Sequence, residues 1–123
     1  MVVAGQVPAT FERHERVRHR AEYQKIYDRG SKVHSRFFTV FTCPNGLRWG
    51  RLGIAATRKL GGAVVRNKAK RLVREVFRRN KLAPGVDVVV IPRRELVEAS
   101  LTTLEFEFRQ NIERSLRRSR DVR

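Results

Sequence analysis

The chain has 123 residues, 41% of them hydrophobic, which suits one compact domain with its own core. Lys and Arg total 28 against 12 Asp and Glu, a net charge of +16, so a phosphate backbone or an anionic surface is the natural partner. No apolar run approaches the ~20 residues of a membrane span, and a single cysteine, Cys43, excludes a disulfide within the chain and fits a reducing cytoplasm.

Residues 1–12 read as a disordered extension. Met1 to Thr10 is mildly apolar but lacks the charged and long apolar regions of a signal peptide. A first helix is expected over 19–28, with Tyr23, Ile26 and Tyr27 on one face and Gly30 as a left-handed stop. A short strand can form near Ser31 to His34. Arg36 to Cys43 reads as a strand with Phe37, Thr39, Phe41 and Cys43 on one side and Phe38, Val40 and Thr42 on the other. Pro44-Asn45-Gly46 is a turn signal. A strand from about Trp49 to Ala56 follows, and hairpin pairing with its predecessor is the default expectation. After the basic segment described next, Pro84-Gly85 breaks the chain. Val86 to Ile91 is β-branched except at Asp87, the pattern of a central strand buried on both faces. A last helix begins at Leu96 or Ser100 and runs to about Leu116, with Leu101, Leu104, Phe108, Ile112 and Leu116 on one side. Residues 117–123 read as a charged, frayed tail. The order α-β-β-α-β-α predicts an α+β sandwich, one domain over 13–116 with helices packed on a mixed sheet.

The segment from Ala63 to Asn80 is the most telling. At helical spacing Val65, Ala69, Leu72, Val73, Val76 and Phe77 share one arc. Asn67, Lys70, Arg71, Arg74 and Arg78 share the opposite one. Solvated helices usually mix signs, whereas residues 58–81 hold ten Lys and Arg and one acid, Glu75. Such a one-signed row repels itself unless a polyanion arrives, which favours nucleic-acid contact over a merely wet face.

Catalytic and metal chemistry find no footing. His14, His19 and His34 lack ligand spacing, Cys43 reads as a core or edge residue, and the acids are too dispersed for a two-metal nuclease. No catalytic or metal-binding residue is assigned. No helix-turn-helix spacing supports DNA reading.

Arg58-Lys59-x-Gly61-x-Ala63-Val64-x-Arg66-Asn67-x-x-Lys70-Arg71-x-x-Arg74-Glu75 resembles the signature of the protein subunit of bacterial ribonuclease P. Glu22-Tyr23-Gln24-Lys25-Ile26-Tyr27-x-x-Gly30, Arg51-Leu52-Gly53-Ile54 and Asp87-Val88-Val89-Val90-Ile91 are similar to the family's flanking blocks, in the same order, over about Arg13 to Leu116. The resemblance implies an accessory subunit of a ribonucleoprotein endonuclease that removes the 5′ leader of precursor tRNA. It implies chemistry on the RNA subunit with Mg²⁺ held mainly there, and a left-handed β-α-β crossover where most are right-handed. It assigns Arg66, Asn67, Lys68, Lys70, Arg71 and Arg74 to the RNA subunit, and Tyr23, Tyr27 and Phe41, with Arg58 and Lys59, to the leader. Guanidinium forks suit structured RNA, and aromatics accept any unpaired base. Lys68 stands where the family commonly has Arg, Tyr23 and Tyr27 where Phe is frequent, and Thr57-Arg58 where Ser-Lys is frequent. The expected partners are the catalytic RNA subunit and precursor tRNA, with no membrane and a monomeric protein before RNA binds. A non-catalytic ribosomal or RNA-chaperone-type protein is the alternative; it would need no aromatic cleft.

Overall fold

A computed structural model describes residues 12–81 and 85–121. Most of the expected extension, and Pro84 of the expected break, lie outside the described residues. The elements in chain order are α1 (Arg20–Arg29), β1 (Ser31–His34), β2 (Phe38–Pro44), β3 (Arg51–Ile54), α2 (Ala63–Arg79), β4 (Val86–Pro92) and α3 (Leu101–Asp121). One mixed sheet carries the strands in the order β1-β2-β4-β3. The expected α+β sandwich is therefore observed.

The hairpin between β2 and β3 is not. β4 lies between them, antiparallel to β2 and parallel to β3. The reason is in β4 itself. Val88, Val89 and Val90 are fully buried, so this strand needs neighbours on both edges and layers on both faces. Its one charge, Asp87, stands opposite Arg51 in the register. Asn45, at the turn after β2, donates its amide to Asp87 Oδ1 at 2.8 Å while its Oδ1 accepts the Leu47 N–H. The turn signal is thus used, but it leads the chain past β4 instead of back along β2.

The two faces of the sheet carry separate cores. On one, Phe38, Val40, Leu52, Val88 and Val90 meet Ala69, Val73, Val76 and Phe77 of α2 and Leu104, Phe108 and Ile112 of α3. On the other, Phe41, Cys43 and Val89 meet Ile26 of α1 and Val17. The apolar arc read for α2 is the buried one. Cys43 is buried as expected, and burial pushes its thiol pKa up, which makes it a poor nucleophile. Polar links close the α3 layer, notably Thr42 Oγ1 with Ser115 Oγ at 2.6 Å.

Two further expectations are corrected, and the choice between Leu96 and Ser100 as the start of the last helix is resolved in favour of Ser100. Gly30 is extended (φ −78°, ψ 160°), not left-handed. Glycine is needed there for space: a Cβ would stand 2.4 Å from the Ile26 carbonyl oxygen and 2.8 Å from that of Thr42. Both obstacles are backbone, so Gly30→Ala is expected to lower stability by about 1–3 kcal/mol in a denaturant titration. The last helix starts after Ser100, whose Oγ accepts the Thr103 N–H; Leu96 instead sits buried in a separate 3₁₀ turn, Arg94–Glu98. Residues 117–121 continue α3 and are not a frayed tail.

The N-terminal segment positions the site. Val17 donates its N–H to the Leu52 carbonyl at 2.9 Å, and Arg16 bridges Leu52 in parallel. This covers part of the β3 edge. Glu15 is buried and paired with Lys81 Nζ at 2.6 Å. Burial alone would raise its pKa, but the Lys81 contact, the Glu12 N–H and the nearby His14 together outweigh it, and the net shift is downward.

Candidate nucleic-acid interface

β3 is an edge strand, and α1 and α2 lie on opposite faces of the sheet. Along that edge a cleft of about 640 Å³ opens. Val17, Leu52 and Ile54 supply its apolar lining. Tyr23 comes from α1, Lys70 and Arg74 from α2, and Arg13, Arg16 and Arg18 from the N-terminal segment. Five cations and one aromatic ring line it, with no carboxylate. Arg74 Nε is buried and has no hydrogen-bond partner among the described residues. An unmet buried donor costs about 1–3 kcal/mol, which an incoming phosphate oxygen can relieve.

Tyr23 is held in place by its neighbours. Its ring covers Gly53, where an added Cβ would stand 2.8 Å from the ring and hydroxyl atoms. Burial raises its pKa, opposed by a hydrogen bond with the Ile54 backbone, so Tyr23 remains a neutral phenol at physiological pH. Gly53→Ala is expected to fold, because the obstacle is a side chain that can swing away, but to move Tyr23 and weaken any ligand stacked on it. Comparing thermal melting with single-stranded RNA affinity checks this.

The preceding residue, Glu22, ties α1 to the sheet. Its Oε1 accepts the N–H groups of Arg18 and His19, capping the helix, and its Oε2 binds Arg51 Nη1 at 2.8 Å. Burial alone would raise the Glu22 pKa, but the Arg51 guanidinium and the two N–H donors bring it down to about 2. Arg51 also forks onto Asp87, with Nε to Oδ1 at 2.8 Å and Nη2 to Oδ2 at 2.6 Å. That bond raises the Arg51 pKa against the opposing effect of burial. The fork is bidentate, the strong form of the contact.

The structure brings Tyr23, Lys70 and Arg74 together, although sequence reasoning divided them between two surfaces. Arg66, Asn67, Lys68 and Arg71 lie on α2 but do not line the cleft. Arg58 and Lys59 are exposed in a 3₁₀ turn ahead of α2, anchored by buried Leu60. Tyr27 is half-buried on the α1 face and meets Phe41 edge-on at 5.0 Å. Phe41 is only 9% exposed, so its ring mainly supports Tyr27. Sequence reasoning missed Arg13, Arg16, Arg18 and the Glu22–Arg51–Asp87 clamp. The dense cations of 13–20 were visible, but nothing local shows that this segment docks on β3.

An edge-strand cleft of one sign, roofed by a basic helix and floored by apolar side chains, is complementary in charge to a polyanionic strand. Residues 11–116 match the family model described as Ribonuclease P. The chain is 47% identical over 91 residues to the ribonuclease P protein component of Thermotoga maritima, covering 72% of this chain and 78% of that one. It is 41% identical over 98 residues to that of Staphylococcus aureus, covering 78% and 84%. The solved Thermotoga maritima protein superposes with a TM-score of 0.73 at 39% identity, over 81% of this chain and 96% of that one. The Staphylococcus aureus protein gives 0.66 at 34%, over 84% and 93%. The chain therefore belongs to the ribonuclease P protein family, the accessory subunits of a ribonucleoprotein endonuclease.

Proposed function

We propose that this protein binds the catalytic RNA subunit of ribonuclease P and the 5′ leader of precursor tRNA, and so supports Mg²⁺-dependent removal of the leader. The observation that carries this reading is the acid-free cleft beside Tyr23. A single strand exposes base faces and phosphates together. Tyr23 offers a stacking surface, with Tyr27 beside it, while Lys70 and Arg74 neutralise the backbone. Arg66, Asn67, Lys68 and Arg71 lie outside the cleft and are assigned to the structured RNA subunit. Arg58 and Lys59, ahead of α2, are assigned to leader phosphates. Before RNA arrives the charge of the chain keeps it monomeric.

Ribonuclease P is a Mg²⁺-dependent enzyme. Among the described residues no group of three or more His, Cys, Asp or Glu is placed to hold a metal. Glu15, Glu22, Glu75, Asp87 and Glu105 are instead paired with Lys or Arg. The protein side chains described do not fit a metal site, and their role is to bind and orient RNA. No described helix is long and apolar enough to cross a membrane. We assign the work of the holoenzyme to a reducing cytoplasm, which the single cysteine fits.

The test is cleavage of a precursor tRNA carrying a 5′ leader, with the cognate RNA subunit, at low Mg²⁺, with and without this protein. Cleavage at the mature 5′ end that depends on the protein supports the reading. RNA binding without any effect on cleavage would replace it with that of a generic RNA chaperone.

A further inference from the structure

A second cavity, of about 580 Å³, adjoins the cleft. Arg13, Arg16 and Arg18 line both, so one cationic wall is shared. Trp49 also lines this second cavity but not the first, and it is 38% exposed and part of neither core cluster. Its indole is not free to turn. Nε1 donates to the His14 carbonyl at 2.8 Å, and the His14 ring meets it edge-on, 5.2 Å between centroids at 90°. Two carboxylates line the cavity, Glu12 and Glu22. Glu22 is already engaged by Arg51 and two backbone N–H groups, so the balance there is cationic.

We propose that Trp49 and this arginine wall form a second subsite for single-stranded RNA, which stacks one base on the indole and holds its phosphate on Arg13 and Arg18. The inference rests on the leader reading above and extends it: a leader long enough to pass the Tyr23 cleft continues to Trp49. Stacking on an indole accepts any base, so the subsite adds affinity with leader length and little sequence preference. It requires an unpaired base, because in a duplex the base faces are already stacked on one another.

Trp49 is the only tryptophan in the chain, so the fluorescence of the unmodified protein reports on it alone. The experiment titrates the protein with leader oligoribonucleotides of increasing length and with duplex RNA of matched length. Quenching is expected to begin only with the longer single strands, together with loss of access to acrylamide. Trp49→Ala is expected to weaken binding of long leaders by roughly 5- to 150-fold, the stacking of one base. Short leaders should be unaffected, and Trp49→Phe should recover part of the loss. Absence of quenching, or equal quenching by the duplex, overturns the proposal. Parallel measurements of precursor over mature tRNA affinity in the holoenzyme separate the two readings. If Tyr23→Ala lowers this preference while Trp49 stays silent, the subsite alone is lost. If neither substitution alters it, the leader reading fails as well.

Discussion

Arg51→Ala is expected to destabilise the fold by about 3–5 kcal/mol, because it leaves the buried Asp87 carboxylate without its cation. Asp87 is 5% exposed, and the Arg51 fork supplies two of its contacts. The Asn45 amide remains but carries no charge. The same substitution frees Glu22 and loosens α1 from the sheet, so RNA affinity should fall with stability. Arg51→Lys keeps the charge, loses the fork, and should recover only part of the loss. The clamp also predicts acid sensitivity. Folding lowers the Glu22 pKa from 4.5 to about 2. Its contribution is therefore complete above about pH 4.5 and is lost as pH falls toward 2. Urea titrations between pH 7 and pH 2 should show this decline in the unmodified protein and a shallower one in Arg51→Ala. An unchanged acid branch in the variant would show that the Glu22–Arg51 bond contributes nothing to it.

The second large effect concerns RNA. Lys70→Ala and Arg74→Ala are each expected to reduce the slope of log affinity against log salt by about 0.7 if the lost phosphate belongs to a single strand, and by about 0.9 if it belongs to a duplex. Because both residues share a cleft with Tyr23, they should also lower the preference for precursor over mature tRNA. Arg71→Ala, outside the cleft lining, should weaken assembly with the RNA subunit and leave that preference unchanged. Tyr23→Ala should cost about 1–3 kcal/mol of leader binding with little change in the salt slope, since it removes no charge. Equal effects of Arg71→Ala and Arg74→Ala on leader preference would mean that the cleft is not where the leader binds.

The parts of this protein that were legible before its structure are those encoded within one element. The period of apolar residues in α2 follows from helix geometry, and Ala69, Val73, Val76 and Phe77 are indeed buried. The continuous β-branched run of β4 demanded a central position, which it has. Cationic character, too, is a sum over residues, so it can be read without coordinates. Pairing cannot be read in the same way. Two strands joined by a turn satisfy the local geometry of a hairpin, whereas the burial demanded by Val88, Val89 and Val90 draws β4 between them. Gly30 reads as a left-handed stop because helix ends often need one; its true constraint is the space between two carbonyls, that of Ile26 in its own helix and that of Thr42 on β2. The cleft shows the limit most plainly. Its residues come from the N-terminal segment, α1, β3 and α2, and they converge because Val17 docks on Leu52 and Arg51 reaches both Glu22 and Asp87. Each local pattern is consistent with many such arrangements. Only the requirement that both sheet faces be covered and the single charge of β4 be paired leaves this one.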